Sequence, residues 1–227
     1  LPLKAQQDTT RPIHPLVTAG LDTLAIRMPT GRVRDVIKNL DSPVAAPSAN
    51  TSGRISPTSA KAVADDLSNK IDMILDAGPC GVGVESTILK VEGERVRLLR
   101  PGGLAAEEIE ALIGVKLERA EHKAAIQAPG MMESHYAPDA SVRLDAASVD
   151  AGEALLAFGP ERVTGADKAL AVLNLSPSGD LREAASNLFD FMRKLDASGA
   201  RTIAVEPIPF DGLGEAINDR LKRAAAP

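Results

Sequence analysis

Aromatic residues are almost missing from this chain: it has no Trp, one Tyr and four Phe in 227 residues. The core must therefore be aliphatic, built from Leu, Ile, Val and Ala. The same scarcity removes the interleaved aromatic and basic stripe on which single-stranded nucleic acid is stacked. A lone cysteine, Cys80, excludes an intrachain disulfide and a cysteine zinc cluster. The three histidines, His14, His122 and His135, are scattered, and no Ser-His-Asp or Cys-His arrangement is legible, so no catalytic nucleophile is assigned. No apolar run approaches a membrane span, and no secretory leader pattern is visible. A formal net charge of −5 argues against strong non-specific nucleic-acid binding and leaves room only for a weak, local RNA contact. Hydrophobic residues at 44% and charged ones at 25% fit a soluble, cytoplasmic globular protein.

What is present is concentrated in one stretch. Ala46-Pro47-Ser48-Ala49-Asn50-Thr51-Ser52-Gly53-Arg54-Ile55-Ser56-Pro57 follows the short apolar run Val44–Ala46 and precedes a helix-like segment, Thr58–Leu67. Small side chains let a ligand approach the backbone, hydroxyls and amides supply donors, and the following helix N-terminus favours an anion. A polar loop ending in an ordinary Ser-Pro helix start reads equally from the same residues. Three other segments repeat the theme. Thr23–Met28 delivers Arg27 just before a proline. Gly78-Pro79-Cys80-Gly81-Val82-Gly83-Val84-Glu85-Ser86-Thr87-Ile88 is a glycine-punctuated loop opening onto a strand. Arg95–Leu99 runs into Arg100-Pro101-Gly102-Gly103. An arginine on such a stiffened strand end presents its planar fork to a carboxylate or phosphate.

The pattern predicts two α/β pieces. In the first, to about Leu117, Thr23–Met28, Val44–Ala46, Met73–Leu75, Ser86–Val91 and Arg95–Leu99 read as strands, and Leu1–Lys4 looks like part of another. Thr30–Asn39, Thr58–Leu67 and Ala105–Ile113 read as helices. Residues 118–140, punctuated by Ala128-Pro129-Gly130 and Ala137-Pro138, read as an extended linker. From about Ser141, strands at Ser141–Leu144, Ala154–Phe158, Ala169–Asn174 and Thr202–Glu206 alternate with helices at Leu181–Ser198 and Leu213–Ala225. That alternation predicts a small, parallel, Rossmann-like sheet. It carries no G-x-G-x-x-G fingerprint, so the nucleotide is not expected there.

The string APSANTSGRISPT, with AIRMP before it and GPCGVGVESTI and LLRPGG after it, resembles the YrdC-like family of threonylcarbamoyl-AMP synthases. Pro129-Gly130-Met131-Met132-Glu133-Ser134-His135-Tyr136-Ala137-Pro138 is similar to the linker of that family's two-domain branch, and Gly212–Leu221 to the end of its second domain. The resemblance implies a twisted, mixed α/β catalytic domain at 1–117, a linker at 118–140 that covers the active site, and a C-terminal domain at 141–227. It implies synthesis of threonylcarbamoyl-AMP and pyrophosphate from L-threonine, bicarbonate and ATP, with Mg2+ travelling on the ATP. The product would pass to the machinery that transfers threonylcarbamoyl to tRNA. By the same resemblance Arg27, Ala46 and Ser86 bind L-threonine, and Ser48, Asn50, Ser56, Arg100 and Tyr136 bind the nucleotide, with Arg54 as an extra phosphate contact. The family's catalytic domain begins with a basic and hydroxyl-bearing segment that has no counterpart here. An RNA-binding module and a catalytically incomplete piece of such a synthase are therefore the alternatives.

Overall fold

The computed structural model describes residues 13–40, 42–119 and 135–226. The C-terminal part is the most regular. Strands β4 (Ser141–Arg143), β5 (Ala154–Ala157), β6 (Val172–Asn174) and β7 (Thr202–Val205) form a fully parallel sheet in the order β4-β7-β5-β6. The Ala-Leu-Leu-Ala run of β5 is buried at every position, as expected of a strand covered on both faces. Helix α5 (Leu181–Asp196) buries Ala184, Ala185, Leu188, Phe189, Met192 and Leu195, a stripe at helical spacing. Asp180 starts it, accepting from the backbone N–H groups of Arg182 and Glu183 at 2.7 and 2.9 Å. Helix α6 (Leu213–Ala224) packs beside α5, and both close over the same aliphatic core.

The first piece is more open. Its sheet joins β1 (Ile88–Glu92) antiparallel to β2 (Arg95–Arg100), and β2 parallel to the two-residue β3 (Glu118–Arg119). Helix α4 (Ala106–Ile113) lies over it, burying Ala106 and Ile109 against Leu98 and Leu117. Earlier in the chain come a four-residue turn of helix, α1 (Pro15–Thr18), then α2 (Arg32–Leu40) and α3 (Ala60–Leu67). Ser59 caps α3 through a bond from the Ala62 N–H at 3.2 Å.

The expected mixed α/β architecture, with a parallel C-terminal sheet, is what forms. The helices expected at 30–39, 58–67 and 105–113 form with small shifts of their ends. The runs at 23–28, 44–46 and 73–75 do not become strands of either sheet. A β-branched or apolar run makes a strand only where a neighbour takes its N–H and C=O groups along its length, and in these runs pairing goes no further than a single bridge at Thr23. Ile26, Met28, Val44, Met73 and Leu75 consequently stand exposed. The strand expected at Leu1–Lys4 lies outside the described residues.

Candidate functional site

Two loops and a strand end meet the C-terminal domain at one polar junction. The loop over 78–88 is pressed directly onto α5. Gly83 has φ +77, and a Cβ there would sit 2.0 Å from the Ala185 carbonyl oxygen. Only glycine permits both the left-handed backbone and that approach. The strand end 100–103 locks to the same loop: the Gly103 N–H donates to the Glu85 carbonyl at 2.9 Å, and the Arg100 Nη2 donates to the Ser86 carbonyl at 2.8 Å. A Cβ at Gly102 would fall 2.3 Å from that Glu85 oxygen, so these two backbones touch. The loop 46–57 is held from two sides. The Ala137 N–H donates to the Gly53 carbonyl, and Arg193 on α5 donates to the Ser56 carbonyl at 3.1 Å. Ile55 and Tyr136 join the core of the C-terminal domain.

At the centre lies Arg220 of α6, whose side chain has no exposed surface. Its Nε donates to Glu85 Oε2 at 2.9 Å, and its Nη1 donates to the Pro101 carbonyl and to Asp219 at 2.9 and 2.8 Å. Its guanidinium also stands 5.5 Å from the centre of the Tyr136 ring. Glu85 Oε1 accepts from the Ser56 hydroxyl at 2.8 Å. Burial alone would raise the Glu85 carboxyl, but the charge and hydrogen bond of Arg220, with smaller help from Ser56, hold it below the usual carboxylate range. Burial alone would lower Arg220, and Glu85, Tyr136 and Asp219 together keep it above the ordinary arginine value. Arg100 is pushed down by burial and then by the neighbouring Arg220. An ionised Glu85 has no proton to give, so the Ser56 hydroxyl is the donor. Its oxygen is left to accept rather than donate.

Tyr136 is 1% exposed and packs between Phe189, with ring centres 5.3 Å apart, and Arg220. Its φ is +63, a conformation a bulky residue adopts only when its surroundings impose it. Burial raises its phenol above the ordinary tyrosine value and pushes the adjacent His135 below the ordinary histidine value.

The structure therefore brings together Ser56, Ser86, Arg100 and Tyr136 of the sequence-predicted residues. Asn50 stands at the edge of this group, its Nδ2 closing the loop onto the Thr51 and Arg54 carbonyls at 2.9 and 3.1 Å. Arg27, Ala46 and Ser48 are exposed, and among the described residues no hydrogen bond or ion pair ties them to the junction. Arg54 pairs with Asp139 of the linker. Sequence reasoning missed Arg220 and Arg193, and it gave Glu85 no role in the site. A signal existed. Leu213, Ile217, Leu221 and Ala224 mark the apolar stripe of α6, and Arg220 falls inside it.

A cleft of about 390 Å³ opens beside this junction, lined by Arg54, Asp65, Asp66, Asp139, Arg193 and Asp196, among others. Its acids are committed internally. Asp66 accepts from the Thr51 N–H and hydroxyl, both at 2.6 Å, and Asp196 from the Asp139 and Ala140 N–H groups. Among the described residues, no cluster of three or more His, Cys, Asp or Glu is arranged to hold a metal ion.

Comparison with known proteins agrees with the architecture. Residues 104–226 match the family described as the threonylcarbamoyl-AMP synthase C-terminal domain, and residues 3–102 match one described as telomere recombination. Threonylcarbamoyl-AMP synthases of Bacillus subtilis and Pyrococcus abyssi are each 38% identical, over 94% and 92% of this chain. The chain spans 66% of the length of each. A crystal structure of P. abyssi Sua5 complexed with L-threonine superposes with a TM-score of 0.81 at 34% identity, covering 94% of this chain and 67% of that one. The chain belongs to the threonylcarbamoyl-AMP synthase family.

Proposed function

We propose that this chain works as an L-threonylcarbamoyladenylate synthase, a nucleotidyltransferase. The observation that carries the reading is the meeting of the Ser48–Ser56 loop, the Glu85–Ser86 loop and Arg100 at one junction, in a chain of this family. The threonine amine and bicarbonate first give a carbamate and water. A carbamate oxygen then attacks the α-phosphorus of ATP, the bond to the β-phosphate breaks, and pyrophosphate leaves with the electron pair. No protein nucleophile is needed, and positioning with charge neutralisation does the work.

In this reading Arg27 takes the threonine carboxylate, with Ala46 and Ser86 beside it. Ser48 faces the nucleotide phosphates, Asn50 holds the loop, Arg100 neutralises the phosphates, and Tyr136, itself buried against Phe189, anchors the linker that covers the nucleotide. Ser56 faces the nucleotide as an acceptor, which suits a ribose hydroxyl better than a phosphate oxygen. Mg2+ bound to ATP would offset the charge of the departing pyrophosphate. The nearby carboxylates suit an ion carried on the substrate rather than a protein cage: Glu85 is paired with Arg220, and Asp76 accepts from the Gly78 N–H. Residues 1–117, with 118–119 added to their sheet, form the catalytic part, the rest of 118–140 the covering linker and 141–227 the C-terminal domain. The product serves tRNA threonylcarbamoylation.

The structure of a P. abyssi Sua5 variant with an adjacent His and Tyr both replaced by Ala has been solved. The only such pair in this chain is His135-Tyr136. Titration calorimetry with each ligand tests the residue roles. Arg27→Ala weakens L-threonine far more than ATP, and Arg100→Ala does the reverse, each by about 1.5–3 kcal/mol for a lost charge-assisted contact. Equal losses of both ligands in both variants refute the assignment.

A further inference from the structure

We propose that Arg220, on α6 of the C-terminal domain, is a positioning residue for the nucleotide site: through Glu85 it sets the place of Ser56 and of the loop carrying Ser48 and Asn50. The ligand in this inference rests on the synthase reading; the geometry does not.

Arg220 is fully buried, and besides Asp219 of its own helix its guanidinium binds across the domain boundary. Its Nε and Nη1 bind one residue from each side of the glycine loop and strand end, Glu85 at 2.9 Å and Pro101 at 2.9 Å. Glu85 then uses its other oxygen for the Ser56 hydroxyl at 2.8 Å. Two polar contacts therefore run in series, Arg220 to Glu85 and Glu85 to Ser56, from a helix of the C-terminal domain to the loop expected to hold the nucleotide. A buried guanidinium with a planar fork fixes direction as well as charge, which an apolar contact would not. Arg193 of α5 holds the carbonyl of the same Ser56 at 3.1 Å, so the loop is gripped through its backbone and its hydroxyl by two different helices. The junction explains why an arginine interrupts the apolar stripe of α6.

Removing Arg220 leaves Glu85 buried without its main cation, and such a carboxyl takes up a proton nearer neutrality. The other charged or titratable groups around it are Arg100 from β2, Asp219 and Arg223 from α6, and His135 and Tyr136 from the linker. His135 is already pushed down by burial, and a Glu85→Gln background separates its titration from that of Glu85.

The test compares the full chain with Arg220→Lys, Arg220→Met, Glu85→Gln and the Arg220→Met/Glu85→Gln double variant. Two readouts are taken: amide hydrogen exchange at 53–57 and 83–87 against β5, and ATP KM and kcat for threonine-dependent pyrophosphate release against pH. Arg220→Met is expected to speed exchange in both loops about tenfold with β5 unchanged. It is also expected to raise the ATP KM about tenfold while kcat changes less. The KM defect deepens as pH falls from about 8 to 6, a dependence absent from the double variant. Arg220→Lys restores part of the KM and of the loop protection. If Arg220→Met does not fold, the exchange pattern of Glu85→Gln and Arg220→Lys decides. The inference is overturned if loops and β5 lose protection alike, or if KM is unchanged and lost activity only follows the folded fraction. If the unaltered chain releases no pyrophosphate, the synthase reading fails alone, and the exchange pattern still judges the positioning.

Discussion

The two ends of the molecule are held by different physics. The C-terminal domain has a continuous aliphatic core in which Leu155, Leu156, Leu188, Ile203 and Ile217 are fully buried. Of the described residues before 80, only Ile55 and Ala62 are buried hydrophobics, and Ile55 belongs to the C-terminal core. Leu16, Met28 and Leu75 of the first region are 84%, 81% and 76% exposed. The expected ligand-binding loops lie in this sparsely packed region and borrow their rigidity. They are pinned by Gly83 against α5, by Arg193 and by Arg220.

Denaturant unfolding gives the sharpest contrast. Phe189→Ala removes a core side chain that also supports Tyr136, and it should cost about 3–5 kcal/mol, whereas Met28→Ala should stay within about 0.5 kcal/mol. Comparable losses would erase the contrast. Arg220→Met should cost about 1.4 kcal/mol, confined to the loops at 53–57 and 83–87 and read from their amide exchange, because it strands the buried Glu85 carboxylate, while Arg220→Met/Glu85→Gln should regain part of it. Asp180→Ala removes the cap of α5 and should cost about 1 kcal/mol, whereas Lys61→Ala, breaking an exposed pair with Asp65 on α3, should cost only about 0.3–0.5 kcal/mol.

The smallest effect is a pH dependence. Glu85 is held below its ordinary value in the folded chain, so its contribution to stability is complete above about pH 4.3 and is lost as pH falls through its lower folded value. His135 is also depressed, and its contribution fades from about pH 6.5 downward. Thermal melts of His135→Gln should therefore lose the shallow decline between about pH 6.5 and 5 while keeping the steeper one below it.

How much of this was legible follows the same division. The strands and helices of the C-terminal domain could be read to within three residues, the strand expected at 169–174 forming over Val172–Asn174, because each apolar run there finds a neighbour. The runs at 23–28, 44–46 and 73–75 carry the same pattern without joining either sheet, and sequence pattern cannot tell which runs will be paired along their length. Residues 118–119, read as linker, instead pair with β2. The small-residue loops were visible as loops from their Gly, Pro and Ser content. The junction behind them was not, since Glu85 and Arg220 lie 135 positions apart. Its trace was an arginine on the wrong face of an amphipathic helix, beside a single tyrosine in a proline-rich segment.

The central claim is adenylate formation, and the most direct measurement is pyrophosphate release from ATP by this chain, with and without L-threonine and bicarbonate. Release that requires both is the predicted result. Absence of release with both present, or release indifferent to threonine, would contradict it.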